Sequence, residues 1–462
     1  MRPVEALAEY ERKLEAPEGF ELPDLGGQPL ESRVFTSVYY DTAARSLSKS
    51  GLTLRRRTER GRSVWQLKLP AGDARLELEE PGGPVGPPEA LARLLGAHLR
   101  HGPVAPVAEL RTRRHGALVA RDGTTAEVTI DDVAVMDALR VVDEFVELEV
   151  ELRQGTRKQV DAIADALEDA GARLTDGTPK VFRVLHVDAD EAPAGDALSA
   201  LRARLRAQLR AILANDPGTR LGRDPESLHD MRVAVRRSRA LLRAGSKLYV
   251  DDVTPFADEL RWLGEKLGAV RDLDVLVDRL RPRVEELDAA DRPAARAMLR
   301  TLERRRTSAR TALLKALASD RYLTLLDRFE ETVDGLAPSG AGLTVDDLAH
   351  RELRKLRKRV RATGDDAHDD ELHALRKRGK RVRYAYELAG DDSVVKRAKA
   401  FQDVLGEHQD SVVAESTLRG LAGSSPERAL AAGRLVERER AARADARAKW
   451  RKAWKRLERS AK

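Results

Sequence analysis

The chain has 462 residues, of which 84 are Lys or Arg and 77 are Asp or Glu, for a net charge of +7. That length suits two or three domains, and the absence of cysteine removes disulfide frameworks and thiolate zinc sites. No apolar run approaches the roughly 18 residues of a bilayer span, and the N-terminus lacks the apolar core of a signal peptide, so a cytoplasmic location away from membranes is expected.

Charge is unevenly distributed. Residues 1–195 carry 26 basic and 34 acidic side chains and the remainder carry 58 and 43, so an acidic half at −8 precedes a basic half at +15. This asymmetry predicts two domains with different electrostatic roles.

The first element is Glu9-Tyr10-Glu11-Arg12-Lys13. Residues two apart on a strand share a face, so two carboxylates and an ammonium lie side by side, with Tyr10, Arg12 and Leu14 opposite. Paired carboxylates repel unless a cation separates them, and hard oxygen donors suit Mg²⁺ or Mn²⁺. The neighbouring lysine adds a partner for a metal-bound anion such as a phosphate chain. A solvated strand face would show the same spacing, so the rest of the chain must decide.

Alternating runs follow at Val34–Tyr40, Leu52–Arg57, Ser63–Leu69, Arg75–Glu79, Ala117–Arg121, Ala126–Val135 and Phe145–Leu152. They predict a mostly antiparallel sheet, with helices at Glu89–Leu99 and Lys158–Ala170. Many of these strands put charge on one face: Arg55 and Arg57, Gln66 and Lys68, Arg75 with Glu77 and Glu79, Glu127 and Asp131, and Glu147, Glu149 and Glu151. An open sheet with one wet face alternates in this way too. Closed with the charged face inward, the same sheet becomes a polar tunnel covered outside by helices. Carboxylates of Glu9, Glu11, Glu149 and Glu151 would then hold a divalent metal, while Lys13, Arg55, Arg57, Lys68, Arg111 and Arg113 would line the rest. Such cations pair well with phosphate oxygens.

These residues carry a resemblance. Glu9-x-Glu11-x-Lys13, Tyr39-Tyr40-Asp41-Thr42, Gly51-Leu-Thr-Leu-Arg55-Arg-Arg57, Trp65-Gln-Leu-Lys68-Leu-Pro70, Arg75-x-Glu77, Glu149-Val-Glu151-Leu and Lys180-Val-Phe-Arg183 form an ordered series. Through it, residues 1–187 resemble the CYTH family of triphosphate tunnel metalloenzymes. The resemblance implies an eight-stranded antiparallel tunnel that hydrolyses or cyclises a triphosphate with Mg²⁺ or Mn²⁺. It assigns metal binding to Glu9, Glu11, Glu149 and Glu151, and phosphate contacts to Lys13, Arg55, Arg57, Lys68, Arg111, Arg113, Lys180 and Arg183. Glu9, Glu11 and Lys13 are the expected catalytic residues, and either Lys13 or a carboxylate could serve as general base. Glu147/Glu149 is an overlapping alternative to the preferred Glu149/Glu151 metal pair.

Residues 188–196 read as a linker, after which the chain is helical almost to its end. The helical half contains a repeat. Leu228-His229-x-x-Arg232-x-x-x-Arg236-Arg237-x-Arg239 recurs as Leu372-His373-x-x-Arg376-x-x-x-Lys380-Arg381-x-Arg383, and Leu267-Gly268 with Asp272 recurs as Leu405-Gly406 with Asp410. At 100° per residue, His229, Arg232, Arg236 and Arg239 span about 80° of a helix surface, as do His373, Arg376, Lys380 and Arg383. Two such stripes facing each other would form a cationic groove for a polyanion.

Residues 196–460 resemble the CHAD domain, which implies binding of inorganic polyphosphate and association with polyphosphate granules. The scarcity of aromatics in the stripes argues against nucleic acid. The expected architecture is therefore α+β: a tunnel domain at 1–187 and, at 197–460, two pseudo-symmetric helical bundles. The expected function is metal-dependent hydrolysis of tripolyphosphate beside polyphosphate binding. The alternatives are a non-catalytic polyphosphate-binding protein and a nucleotide cyclase or thiamine-triphosphatase of the same family.

Overall fold

A computed structural model describes residues 6–17, 19–71, 74–175, 177, 179–185, 195–364 and 366–461, with backbone only for 6–9, 71 and 74. The chain divides into two compact units, one of residues 1–191 with 213–227 and one of 192–212 with 228–462. The expected linker falls largely outside the described residues.

The first unit is built on strands β1 (Ala6–Glu9), β2 (Glu11–Glu15), β3 (Gln28–Asp41), β4 (Thr53–Glu59), β5 (Arg62–Ala71), β6 (Ala74–Pro81), β7 (Ala105–Arg121), β8 (Thr124–Asp137), β9 (Arg140–Gln154) and β10 (Arg173–Leu174). Short helices α1 (Ser46–Lys49), α2 (Glu89–Leu94), α3 (Arg157–Asp169) and α4 (Lys180–Leu185) are interspersed. All strand pairs are antiparallel, in the order β1-β6-β5-β4-β3-β7-β8-β9-β2-β10. Among the described residues the sheet has ten strands where eight were expected, because Tyr10 alone interrupts the first one and β10 is a two-residue addition.

That interruption closes the sheet. β1 pairs with β6 at one edge, and one residue later β2 pairs with β9 near the other. The Tyr10 carbonyl still accepts the Leu152 amide at 2.9 Å. The outward apolar residues are capped by helices. Leu54, Trp65, Leu67 and Leu78 pack under α1 and α2, and Leu14, Val128, Ile130, Leu148 and Val150 pack under α3. Val181 of α4 packs on Leu110, Val133 and Val135, whose parity places them on the inner face beside Thr112 and Asp131. One end of the tunnel is thereby plugged with apolar side chains.

Two hairpin turns place consecutive residues at positive φ, Arg60-Gly61 at 49° and 77° and Asp122-Gly123 at 48° and 73°, which matches the right-handed strand twist. Gly116 in β7 has a different role: a Cβ there would lie 2.0 Å from the Val128 carbonyl oxygen and 2.8 Å from the Thr129 Cα. Both obstacles are backbone, so Gly116→Ala is expected to cost about 2 kcal/mol or more in urea unfolding, against little change at exposed Gly83→Ala.

The motif residue Asp41 is structural. Its buried carboxylate accepts the amides of Thr42, Leu47 and Ser48 at 2.7–3.0 Å and ties the end of β3 to α1.

The second unit draws on helices α5 (Ala197–Leu221), α6 (Pro225–Ala244), α7 (Thr254–Glu285), α8 (Arg292–Leu317), α9 (Asp320–Gly335), α10 (Val345–Arg361), α11 (Asp369–Ala389), α12 (Asp392–Ala422) and α13 (Pro426–Ser460). The sequence repeat falls on α6–α7 and again on α11–α12. Trp450 and Trp454 lie in the core with Phe401 and Leu405. No helix among the described residues is long and apolar enough to cross a membrane.

Candidate functional site

Strand register assembles the tunnel's acidic wall. Glu11 is opposite Glu151, Lys13 opposite Glu149 and Glu15 opposite Glu147, and directly paired residues share a face. Lys13 Nζ lies 2.9 Å from Glu149, 3.2 Å from Glu147 and 3.7 Å from Glu11. Burial alone would lower its pKa, but Glu147, Glu149 and Glu11 outweigh burial and hold it well above the ordinary lysine value. Lys13 is thus a fixed cation.

Deeper in, Asp131 is fully buried and receives both arms of the Arg114 fork at 2.6 Å, with Lys180 of α4 on one of the same oxygens. Arg114 also pairs with Glu149, and Lys180 lies 3.5 Å from it. Burial would raise the Glu149 pKa, yet Lys13, Lys180 and Arg114 drive it well below the usual range. Such a network holds because each buried charge has opposite neighbours.

The facing wall is basic. Arg55 donates to Gln66 at 2.7 Å and to the Tyr39 hydroxyl at 3.2 Å, and Lys68 lies 3.2 Å from Glu77. Arg57 sits 3.8 Å over the Phe35 ring, and burial followed by the like charge of Arg55 lowers its pKa. A cavity of about 220 Å³ separates the walls, bounded by Glu11, Lys13, Glu149 and Glu151 on one side and Arg55, Arg57 and Lys68 on the other.

In the second unit the two repeated stripes face each other. Arg236 Nε lies 3.1 Å from the Tyr384 hydroxyl, and Arg237 lies 3.5 Å from Glu387. Each repeat glycine lies against its repeat arginine: a Cβ on Gly268 or Gly406 would be in ordinary contact, 3.5 Å from the Arg232 or Arg376 guanidinium. Asp272 pairs with Arg232 at 2.8 Å, and the Asp410 pKa is raised by burial against the pull of Arg376. Lys380 is pushed down to about 7 by burial and then by Arg376, Arg236, Arg232 and Arg383. The His373 pKa is lowered by burial, Lys377 and Arg376. His229 is half-buried at the head of the other stripe. Arg239 lines a cavity of about 330 Å³ with Arg236, Arg243, Lys380, Arg381 and Tyr384, while Arg383 turns to Glu387 at 3.2 Å.

A CYTH domain model matches residues 7–180, and a CHAD domain model matches residues 203–419. An uncharacterized protein of Mycobacterium tuberculosis, found in two strains, is 34% identical over 464 residues, which cover 90% of this chain and 89% of that one. Among solved structures, the CHAD domain from the plant Ricinus communis is 29% identical with a TM-score of 0.50, covering 58% of this chain and 94% of that one. PptA from Streptomyces chartreusis is 23% identical with a TM-score of 0.49, covering 56% and 100%. The chain belongs to the fused CYTH–CHAD proteins.

Three residues expected in the CYTH tunnel are elsewhere. Arg111 and Arg113 point away from it and line a separate groove with Arg183, which pairs with Glu15. The inner face of β7 carries Leu110, Thr112 and Arg114 instead, so the arginine of that strand in the tunnel is Arg114. A one-residue slip in parity exchanges every side chain between faces.

CYTH domains are metal-dependent and typically use divalent cations. Among the described residues, no three acidic or imidazole side chains are grouped to hold a metal ion, and the Glu9 side chain lies outside those described. The donors present nonetheless fit one. Glu11 and Glu151 oppose each other on the cavity wall, and burial raises the Glu151 pKa against the pull of Arg153 and Lys68. Glu149 and Glu151 reach the cavity, whereas Glu147 lies behind it with its Oε2 lacking a hydrogen-bond partner.

Proposed function

We propose that the CYTH domain hydrolyses inorganic tripolyphosphate, or a related short triphosphate, and that the CHAD domain binds inorganic polyphosphate. The observation that carries the first part is the tunnel cavity with carboxylates on one wall and Arg55, Arg57 and Lys68 on the other. A divalent Mg²⁺ or Mn²⁺ ion held by Glu11, Glu149 and Glu151, together with Glu9, would supply charge neutralisation and polarise phosphoryl oxygens.

The chain's own residues do the rest by positioning. Arg55, Arg57 and Lys68 grip phosphate oxygens. Arg114 and Lys180 set the electrostatics at the end plugged by α4, which excludes water there. Lys13 stays protonated beside its carboxylates, so the proton of the attacking water passes to a carboxylate or to phosphate. Water adds to the terminal phosphorus, the P–O anhydride bond breaks, and orthophosphate leaves with pyrophosphate.

The test is phosphate release from tripolyphosphate with and without Mg²⁺ or Mn²⁺, beside ATP and thiamine triphosphate. Metal-dependent release from tripolyphosphate is expected. One observation favours a second reading: Glu149 is already occupied by three cations, which suits a tunnel that binds without turnover. Tight binding of tripolyphosphate without release would select that reading.

For the CHAD domain, the crowding around Lys380 makes binding depend on pH. In the free protein Lys380 loses its proton near pH 7. A bound polyanion restores the ordinary lysine value, so complex formation above pH 7 takes up about one proton. Affinity is therefore expected to fall as pH rises from 7 to 9. Calorimetry at pH 8 in buffers of different ionisation enthalpy measures the uptake, and Lys380→Arg should abolish it. Without polyanion the sign reverses for folding: between about 7 and the ordinary lysine value of 10.5 the unfolded chain holds the extra proton, so stability rises with pH across that window.

A further inference from the structure

The tunnel's two ends differ. At the end plugged by α4 the lining includes Pro179 and Lys180. Away from it, a second and wider cavity of about 650 Å³ is lined by Arg33, Arg57, Arg60, Arg62, Gln66 and Glu79, among others. Arg33, Arg57, Gln66 and Glu79 bound both cavities, so the second is the tunnel's mouth.

The mouth has a different chemistry from the interior. Inside, Lys13, Arg114 and Lys180 are bound into a buried network. At the mouth, Arg60 and Arg62 stand on either side of Gly61 in the β4–β5 turn and are exposed. Arg60 has one exposed partner, Glu31 at 2.6 Å, and Arg33 reaches Glu127 at 3.1 Å. The exposed Arg60 pair is of the weak kind that exchanges readily for a better anion, whereas the Arg33 pair is half-buried and holds its guanidinium in place. Among the described residues, the lining includes no aromatic ring that could stack on a nucleobase, and Val64 is its single apolar side chain.

We infer that Arg33, Arg60 and Arg62 form an outer phosphate subsite, through which the tunnel takes the end of an inorganic polyphosphate longer than three units. This inference rests on the proposed function, since it requires a triphosphate-length anion in the inner cavity. The terminal phosphate lies inside and the following units pass Arg57 to the mouth. Hydrolysis is the same step: water adds to the terminal phosphorus, the adjacent P–O–P bridge breaks, and orthophosphate leaves with a chain one unit shorter. A nucleoside triphosphate places an uncharged sugar and base at the mouth and gains nothing from these arginines.

The experiment uses the full chain with Mg²⁺ or Mn²⁺ and reads initial-rate pyrophosphate formation from tripolyphosphate, a product that end-cleavage of a longer chain does not give in its first turnovers. A polyphosphate of about ten units is the competitor, in large excess over protein so that capture by the helical unit does not deplete it. Wild type should be inhibited by the longer chain at a concentration about tenfold below that at which tripolyphosphate half-saturates, as added charge-assisted contacts require. Arg60→Gln/Arg62→Gln should raise that inhibitory concentration about tenfold and leave tripolyphosphate turnover within about twofold. Arg60→Glu/Arg62→Glu should raise it further. Equal potency against wild type and the Gln double variant overturns the inference while tripolyphosphate turnover stands. A matching loss for tripolyphosphate also overturns it, because the turn would then act on the whole tunnel. Absence of release from tripolyphosphate overturns the proposed hydrolysis and this inference with it.

Discussion

Glu11→Gln should reduce phosphate release from tripolyphosphate by about two to three orders of magnitude while leaving the protein folded. The contrast among the tunnel carboxylates explains why. Glu149 is held by Lys13, Lys180 and Arg114, and Glu147 by Lys13 and Lys180. Glu11 has only Lys13, at 3.7 Å, among the described cations. Of Glu11, Glu149 and Glu151 it is the most weakly held, and the amide replaces it with little loss of ion pairing. Glu149→Gln should behave oppositely, leaving buried cations without a counter-charge and lowering stability by about 3 kcal/mol or more. Thermal unfolding beside the rate assay separates the two cases. Wild-type rates in Glu11→Gln would remove this residue from the metal site.

The second large effect lies in the CHAD domain. Arg236→Ala/Lys380→Ala should weaken binding of long-chain polyphosphate by at least about a hundredfold, since two charge-assisted contacts are each worth about 1.5–3 kcal/mol. It should also flatten the salt dependence of binding. Stability should move the other way. Burial first, and then the like charges of Arg376, Arg236, Arg232 and Arg383, bring Lys380 to about 7, so removing two members of the cluster relieves repulsion in the free protein. Loss of affinity with a raised melting temperature is the expected signature. Loss of affinity with a lowered one would mean the variant had merely damaged the fold. Titration by fluorescence anisotropy, in a Glu11→Gln background to prevent turnover, provides the measurement.

Much of this arrangement was legible because alternation and helical periodicity report directly on faces. The strands carrying Arg55, Lys68 and Glu149 needed no more than parity, and the His229 and His373 stripes needed no more than 100° per residue. Parity failed at β7 for a definite reason: Arg111, Thr112, Arg113 and Arg114 put arginine on both faces, so only the cross-strand partner Asp131 selects Arg114. The interruption at Tyr10 was hidden because Glu9 and Glu11 keep the spacing of an unbroken strand. Tyr384 could have been found. It lies eleven residues after His373, about 20° from it on the helix, and takes the place of Ala240 in the first copy. Its aromatic ring sets it apart from the charged residues that mark the stripe. The depressed pKa of Lys380 depends on α6 approaching α11 and has no signature in either helix alone.

The single-residue junction at Tyr10 also constrains the order of assembly. β1 finds its partner once residues 75–78 exist, but β2 must wait for residues 147–151. During synthesis the strands from β3 to β8 can pair in sequence while Glu11 and Lys13 remain unmatched. β2, made before β3 to β9, is thus seated only after them, and a nascent chain released before Val150 carries an open sheet with two exposed edges.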